Sequence, residues 1–186
     1  MRPPKPHDLK KLPVTKLDAA RRQLETAITL WFHDADPVSV HTLALAAHAI
    51  LRAINKKRGG RPMLGDPSPY IRAEFQERVA KMFVEASNFF KHRAKDPLAT
   101  HYFPPELNKL IINDACQAYT SQAQEQRPLM GLFSVYLPFE EPRLFTQEYL
   151  DNLQRLPLFS KVKQFSKRQF FMEFLPVATA ESQGVY

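Results

Sequence analysis

Apolar positions recur every three or four residues along most of this chain, the spacing of one face of a helix. The first such stretch opens at Thr15, which can cap a helix, with Asp18 three residues on in a capping-box position. Leu17, Ala20, Leu24, Ala27, Ile28 and Trp31 then share a face, with Arg21, Arg22 and Glu25 turned away. The pattern predicts a helix to Phe32. His33 to Pro37 is a short connection, and Asp36-Pro37 has the form of an N-cap followed by proline at the first helical position. A second helix is predicted from Pro37 to Lys56. Val38, Val40, Leu43, Ala44, Ala46, Ala47, Ile50, Leu51 and Ile54 cover most of its circumference, which marks a central helix. Its alanines allow close backbone approach.

Lys56 to Pro67 is the clearest internal loop, with Gly59, Gly60 and Gly65 in it. Ser68-Pro69 restarts a third helix. Ile71, Phe75, Val79, Met82, Phe83, Ala86 and Phe90 carry its stripe to His92. Asp96-Pro97 breaks the pattern, because proline disfavours helical geometry in the residue before it. Pro104-Pro105 opens a fourth helix with Leu107, Leu110, Ile111, Ala115 and Tyr119 on its core face. Shorter helices are predicted at Leu129 to Tyr136, Thr146 to Leu156 (Tyr149, Leu150 and Leu153 inward) and Ser160 to Leu175. No segment alternates as a strand does, and no internal repeat is visible. The sum is an all-α fold: an antiparallel bundle of about four long helices with two or three shorter C-terminal accessory helices. Residues 1–14, with four prolines and several basic residues, read as a disordered arm, 15–175 as a single helical domain and 176–186 as a flexible tail.

A chain of 186 residues can bury a substantial core. Lys and Arg number 26 against 19 Asp and Glu, a formal charge of +7. That favours an acidic protein or RNA partner, and equally suits plain solubility. Cys116 is the single cysteine, so neither an intrachain disulfide nor a cysteine metal cluster can form, and its place in an apolar run predicts a buried structural thiol. The N-terminus lacks the apolar stretch of a secretory signal, and no run approaches the roughly 18 apolar residues of a membrane span. A soluble cytoplasmic protein is expected.

Candidate chemistry gathers where the third helix ends. Asn88 and His92 lie four apart, on one helical face, with Lys91, Arg93 and Asp96 beside them. In an antiparallel pairing the start of the second helix, with His41, lies near this end. His41, Asn88, Lys91, His92 and Asp96 are therefore the candidate catalytic residues: a histidine to move protons, with Lys91 or Arg93 to stabilise an anion. The alternative is a buried polar network that fixes helix register, with Asp96 as a loop brace. His41 and His48 are two turns apart, about 10 Å of rise, too far for one ion. No cofactor motif is present, and no metal or cofactor is expected. Lys56, Lys57, Arg58 and Arg61 surround the Gly-Gly turn, and Lys161, Lys163, Lys167 and Arg168 interleave with Phe165, Phe170 and Phe171. With Arg93 these are the candidate anion- or nucleic-acid-binding residues. An amphipathic helix whose phenylalanines enter the core explains the last group as well.

Asp36-Pro37-Val38-Ser39-Val40-His41-Thr42-Leu43-Ala44, followed by Ala86-Ser87-Asn88-Phe89-Phe90-Lys91-His92 and Asp96-Pro97, resembles a bacterial family of uncharacterised helical proteins over residues 15–125. More distantly, the long helices and the histidine ending the third resemble the HEPN superfamily of nucleotide-binding and ribonuclease helical domains. Those nucleases carry Arg, four to six residues, then His on one helix. Here Arg78 lies fourteen residues before His92, and the one literal match, Arg2 to His7, falls in the proline-rich arm. The features lead to two expectations. One is a non-catalytic binding or regulatory module, dimeric through an apolar helix face. The other, implied by the resemblance, is an RNA- or nucleotide-acting protein using a pocket around His92.

Overall fold

Local capping chemistry sets where the first two helices begin. In the computed structural model, which describes residues 11–66, 77, 81, 85, 86, 88–90, 98–155, 162 and 164–182, α1 runs over Lys16–Phe32 and α2 over Pro37–Lys57. The Asp18 amide donates to Thr15 Oγ1 at 3.1 Å, and the Asp18 carboxylate accepts the Thr15 amide at 3.3 Å, so the expected capping box is formed. Such a cap stabilises a helix by about 1 kcal/mol. Asp36 likewise accepts the Ser39 amide at 2.8 Å, with Pro37 at the first helical position. Between the two helices Asp34 turns the chain with φ 51°.

Four further α-helices follow: α3 (Leu107–Ala123), α4 (Pro128–Glu140), α5 (Gln147–Gln154) and α6 (Lys167–Ser182), with a 3₁₀ turn at Pro142–Leu144. No strand occurs among the described residues, so the chain is all-α. Of the expected helix from Ser68 to His92, the described residues Glu77, Lys81, Glu85, Ala86, Asn88, Phe89 and Phe90 are helical, with Glu77, Lys81, Glu85 and Asn88 exposed and Ala86 buried.

The middle layer is α2, packed on α1 along one side and α3 along the other. Ala20, Leu24, Ala27 and Ile28 of α1 meet Val40, Ala44, Ala47 and Leu51 of α2, and Ile111, Ile112 and Ala115 of α3 close the core. α4 lies against α1 and α6. An aromatic cluster fills that junction: Trp31 stands edge-on to Phe32 (5.0 Å) and Phe133 (4.9 Å), and Phe32 packs on Phe171 (5.0 Å). Edge-on aromatic pairs add about 1 kcal/mol each beyond their burial. Phe170 and Phe171 thus enter the core, as the amphipathic reading of that segment expects, and Cys116 is buried.

Two helices outrun their sequence signals. α4 continues past Tyr136 through Pro138 to Glu140, and α6 continues through Pro176 to Ser182, where a loose tail is expected. Each proline removes one ladder bond, Pro138 two residues from the end of α4 and Pro176 six from the end of α6, and packing on neighbours offsets it. Conversely, α5 buries none of its residues, and Tyr149, expected inward, is 41% exposed, stacked on Phe145 at 5.3 Å.

α2 is also the one described helix whose length and mean hydropathy (1.3) would permit a bilayer crossing. It carries His41, His48 and Asn55 into the bundle interior, the pattern of a core helix in a folded domain.

Candidate functional site

The Asp36 cap places His41 one turn into α2, facing α3. Its ring is fully buried. Asn108, on the first turn of α3, donates from Nδ2 to the Pro37 carbonyl at 3.0 Å, which turns its Oδ1 toward His41 Nδ1 at 2.9 Å. An amide oxygen only accepts, so His41 carries its proton on Nδ1 in this arrangement. Aromatic rings enclose the imidazole: Phe103 lies edge-on at 4.8 Å and Phe90 at 5.9 Å, and these two contact one another at 5.4 Å. His101 packs on Phe89 at 5.3 Å at the rim.

The start of α2 and the Asn88–Phe90 stretch are therefore neighbours, but the link is aromatic. Phe90 faces His41, whereas Asn88 is exposed to solvent and does not join it. Lys91, His92, Arg93 and Asp96 lie outside the described residues, as do Lys161 and Lys163.

The basic loop after α2 forms a second polar cluster. Asp114 on α3 accepts three bonds at once: from His48 Nε2 at 2.8 Å, from the Leu64 amide at 2.9 Å and from Arg61 at 3.0 Å. Burial alone would raise this carboxyl. The hydrogen bonds from His48 and Leu64, with the charges of His48 and Arg61, prevail and hold it below the usual carboxylate range. Arg61 also reaches Gln117 at 3.1 Å, Arg58 reaches the carbonyl and side chain of Gln122 at 2.9 Å, and Arg52 binds Asp66 at 2.6 Å and the Gly65 carbonyl at 2.7 Å. Asn55 ties the turn from within, donating to the Arg61 carbonyl at 2.6 Å and accepting from Gln122 at 2.9 Å. Two of the four expected anion-binding residues here, Arg58 and Arg61, thus have guanidinium groups turned onto the bundle. Lys56 and Lys57 stay exposed.

A third cluster lies between the ends of α1, α3, α4 and α6, around a cleft of about 300 Å³ lined by Trp31, Asp34, Glu106, Lys109, Glu140 and Lys167, among others. The Lys109 side chain is 8% exposed and meets Glu106, Glu141 at 2.5 Å and Glu140 at 3.6 Å. Burial would lower its ammonium, but the bonds to Glu106 and Glu141 and the charge of Glu140 hold it above the usual lysine range. Burial raises the Glu140 carboxyl against the pull of Lys109 and Lys167. An ammonium held charged by three carboxylates has no lone pair to offer as base or nucleophile. Lys109 serves as a cross-link between the start of α3 and the end of α4. Lys167, expected among the anion-binding residues, sits 4.4 Å over the Trp31 ring and pairs with Asp34, fastening α6 to the end of α1. Arg168 is exposed.

The sequence reading missed Asp114 and Lys109. Asp114 does carry a signal: it is seven residues after Leu107 and three after Ile111, a core-facing position where a carboxylate demands partners. Nothing local names His48, 66 positions away, as one of them. Comparison of the chain with protein-family models, with curated proteins and with solved structures finds no match.

Proposed function

We propose that this chain is a non-catalytic helical binding module that acts by presenting its surface to a partner. The observation that carries the reading is the placement of His41. The described candidate for proton transfer is sealed inside the bundle, bonded to Asn108 and ringed by Phe90 and Phe103, while Asn88 faces water. A general base must reach the proton it removes, and these two groups do not share a cleft. His48, Asp114 and Lys109 are likewise engaged in intramolecular pairs that fix one element to another. The formal charge of +7, with Lys56, Lys57 and Arg168 exposed, suits an acidic partner.

The test is incubation of the purified chain with mixed RNA and a divalent cation, alongside His92→Ala. The binding-module reading expects intact RNA from both. Cleavage by the natural chain that His92→Ala abolishes would overturn it and establish the HEPN-like, RNA-acting alternative.

A further inference from the structure

We propose that the cleft between the end of α4 and α5 is a binding site for a small hydrophobic amine, whose ammonium pairs with Glu140. This goes beyond the partner-binding reading, which rests on other residues.

The starting point is α5. Tyr149, Leu150 and Leu153 give it an apolar side, yet it buries none of its residues and makes no extensive contact with another described helix. It borders instead a cleft of about 600 Å³, which Leu150 and Gln154 line from α5. The end of α4 supplies Tyr136, Phe139 and Glu140 to the same cleft, and Phe165 enters it just before α6. A small-molecule site has this make-up: about 300–1,000 Å³, mostly apolar and aromatic walls, and a few polar groups that fix orientation.

Charge selects the occupant. Among the described lining residues Glu140 is the one carboxylate, and none is Lys, Arg or His. A ligand with a carboxylate or phosphate would meet Glu140 as a like charge, whereas an ammonium meets a counter-ion. Glu140 also has room for a new donor. Lys109 bonds Glu106 and Glu141, and Glu140 stands off at 3.6 Å, outside hydrogen-bond range, with its side chain 32% exposed. Its oxygens can therefore accept from a ligand without breaking the bonds that hold α3 to α4. The surroundings favour a cation as well. Asp34, Glu106, Glu140 and Glu141 outnumber Lys109 and Lys167 by two, in a chain whose formal charge is +7. The rings of Tyr136, Phe139 and Phe165 accept the apolar body, and ring faces attract an ammonium. The Tyr136 hydroxyl, which has no hydrogen-bond partner among the described residues, adds a second polar group.

The experiment titrates three probes into the full chain by calorimetry, with saturation-transfer NMR as a second readout. Phenethylamine, phenethyl alcohol and hydrocinnamate share one body and differ in the charge of the head. The amine should bind saturably, the alcohol about 10-fold or more weaker, and the carboxylate weaker still. Glu140→Gln should bring the amine to the level of the alcohol. Leu150→Trp should fill the cleft and weaken the amine about 10-fold or more. Lys109 keeps Glu106 and Glu141 in the first variant, and α5 buries no residue that the second would displace, so far-ultraviolet circular dichroism should be unchanged in both. No binding of the amine at millimolar concentration, equal binding of amine and carboxylate, or an amine affinity unchanged in either variant overturns the proposal. The RNA assay decides the binding-module reading separately.

Discussion

Replacing Asp114 with alanine removes one side chain and orphans groups from three segments of the chain. His48 Nε2 and the Leu64 amide lose an acceptor at 2.8 and 2.9 Å, and Arg61 loses its counter-ion. The side chains of His48 and Asp114 are 5% and 10% exposed, so water replaces little of what is lost. A hydrogen bond to a charged acceptor contributes about 1.5–3 kcal/mol. The Arg61 side chain is 47% exposed, so its ion pair adds under about 1 kcal/mol. The His48 bond is buried, the Leu64 bond is part-buried and the Arg61 pair is a weak surface one, so the low end of these ranges applies, a loss of about 3–4 kcal/mol and a large fraction of the 5–15 kcal/mol typical of a folded domain. Urea unfolding followed by fluorescence of Trp31, the single tryptophan, reads it directly, since that ring is packed in the aromatic core. The midpoint should fall at unchanged slope, with Tm lower by about 10 °C. The acid limb supplies a second reading. The Asp114 carboxyl titrates lower in the folded chain than unfolded. The stability it supplies is therefore complete above the unfolded value near pH 4 and is lost as pH falls through the lower folded value. The natural chain should lose stability there and the variant should lack that component. A loss under about 1 kcal/mol, with an unchanged acid limb, would refute the brace.

Other substitutions separate packing from loop architecture. Gly60→Ala puts a Cβ 1.9 Å from Asn55 Oδ1 and forces Asn55 off the Arg61 carbonyl and Gln122. We expect about 2 kcal/mol lost in urea unfolding. Gly131→Ala in α4 meets only the end of the Gln126 side chain at 3.4 Å, so helix propensity dominates and thermal unfolding should show a gain of about 0.5–1 kcal/mol. Phe133→Ala empties the centre of the aromatic cluster and should cost about 3–5 kcal/mol and weaken the near-ultraviolet circular dichroism of Trp31.

What the sequence made legible follows the range of each interaction. The Thr15–Asp18 box and the Asp36-Pro37 start are local chemistry, visible within four residues, and the structure has both. The inward face of α1 and the burial of Phe170, Phe171 and Cys116 follow from periodicity, whereas α2, apolar around most of its circumference, showed no inward face, and His41, His48 and Asn55 lie on it. The proline-spanning ends of α4 and α6 did not follow from periodicity, because the packing that holds them comes from other helices. The partners of His41 and His48, Asn108 and Asp114, lie 67 and 66 positions away. Positions two turns apart on α2 display the two histidines to α3, and only the helix–helix register pairs them with residues six apart there. The aromatic enclosure of His41 was equally hidden, since Phe90 reads as core and nothing near Phe103 announces a contact with α2.

The most direct test of His41 as an internal tie, closed to substrates, is its reaction with diethyl pyrocarbonate in the native chain, mapped by mass spectrometry. His33 and His101 are partly exposed and should be modified readily, while His41, enclosed at 0% exposure, should react only once the chain unfolds. Modification of native His41 at a rate matching His33 would mean that solvent, and a substrate with it, reaches the ring, and the account given for this bundle would be wrong at its centre.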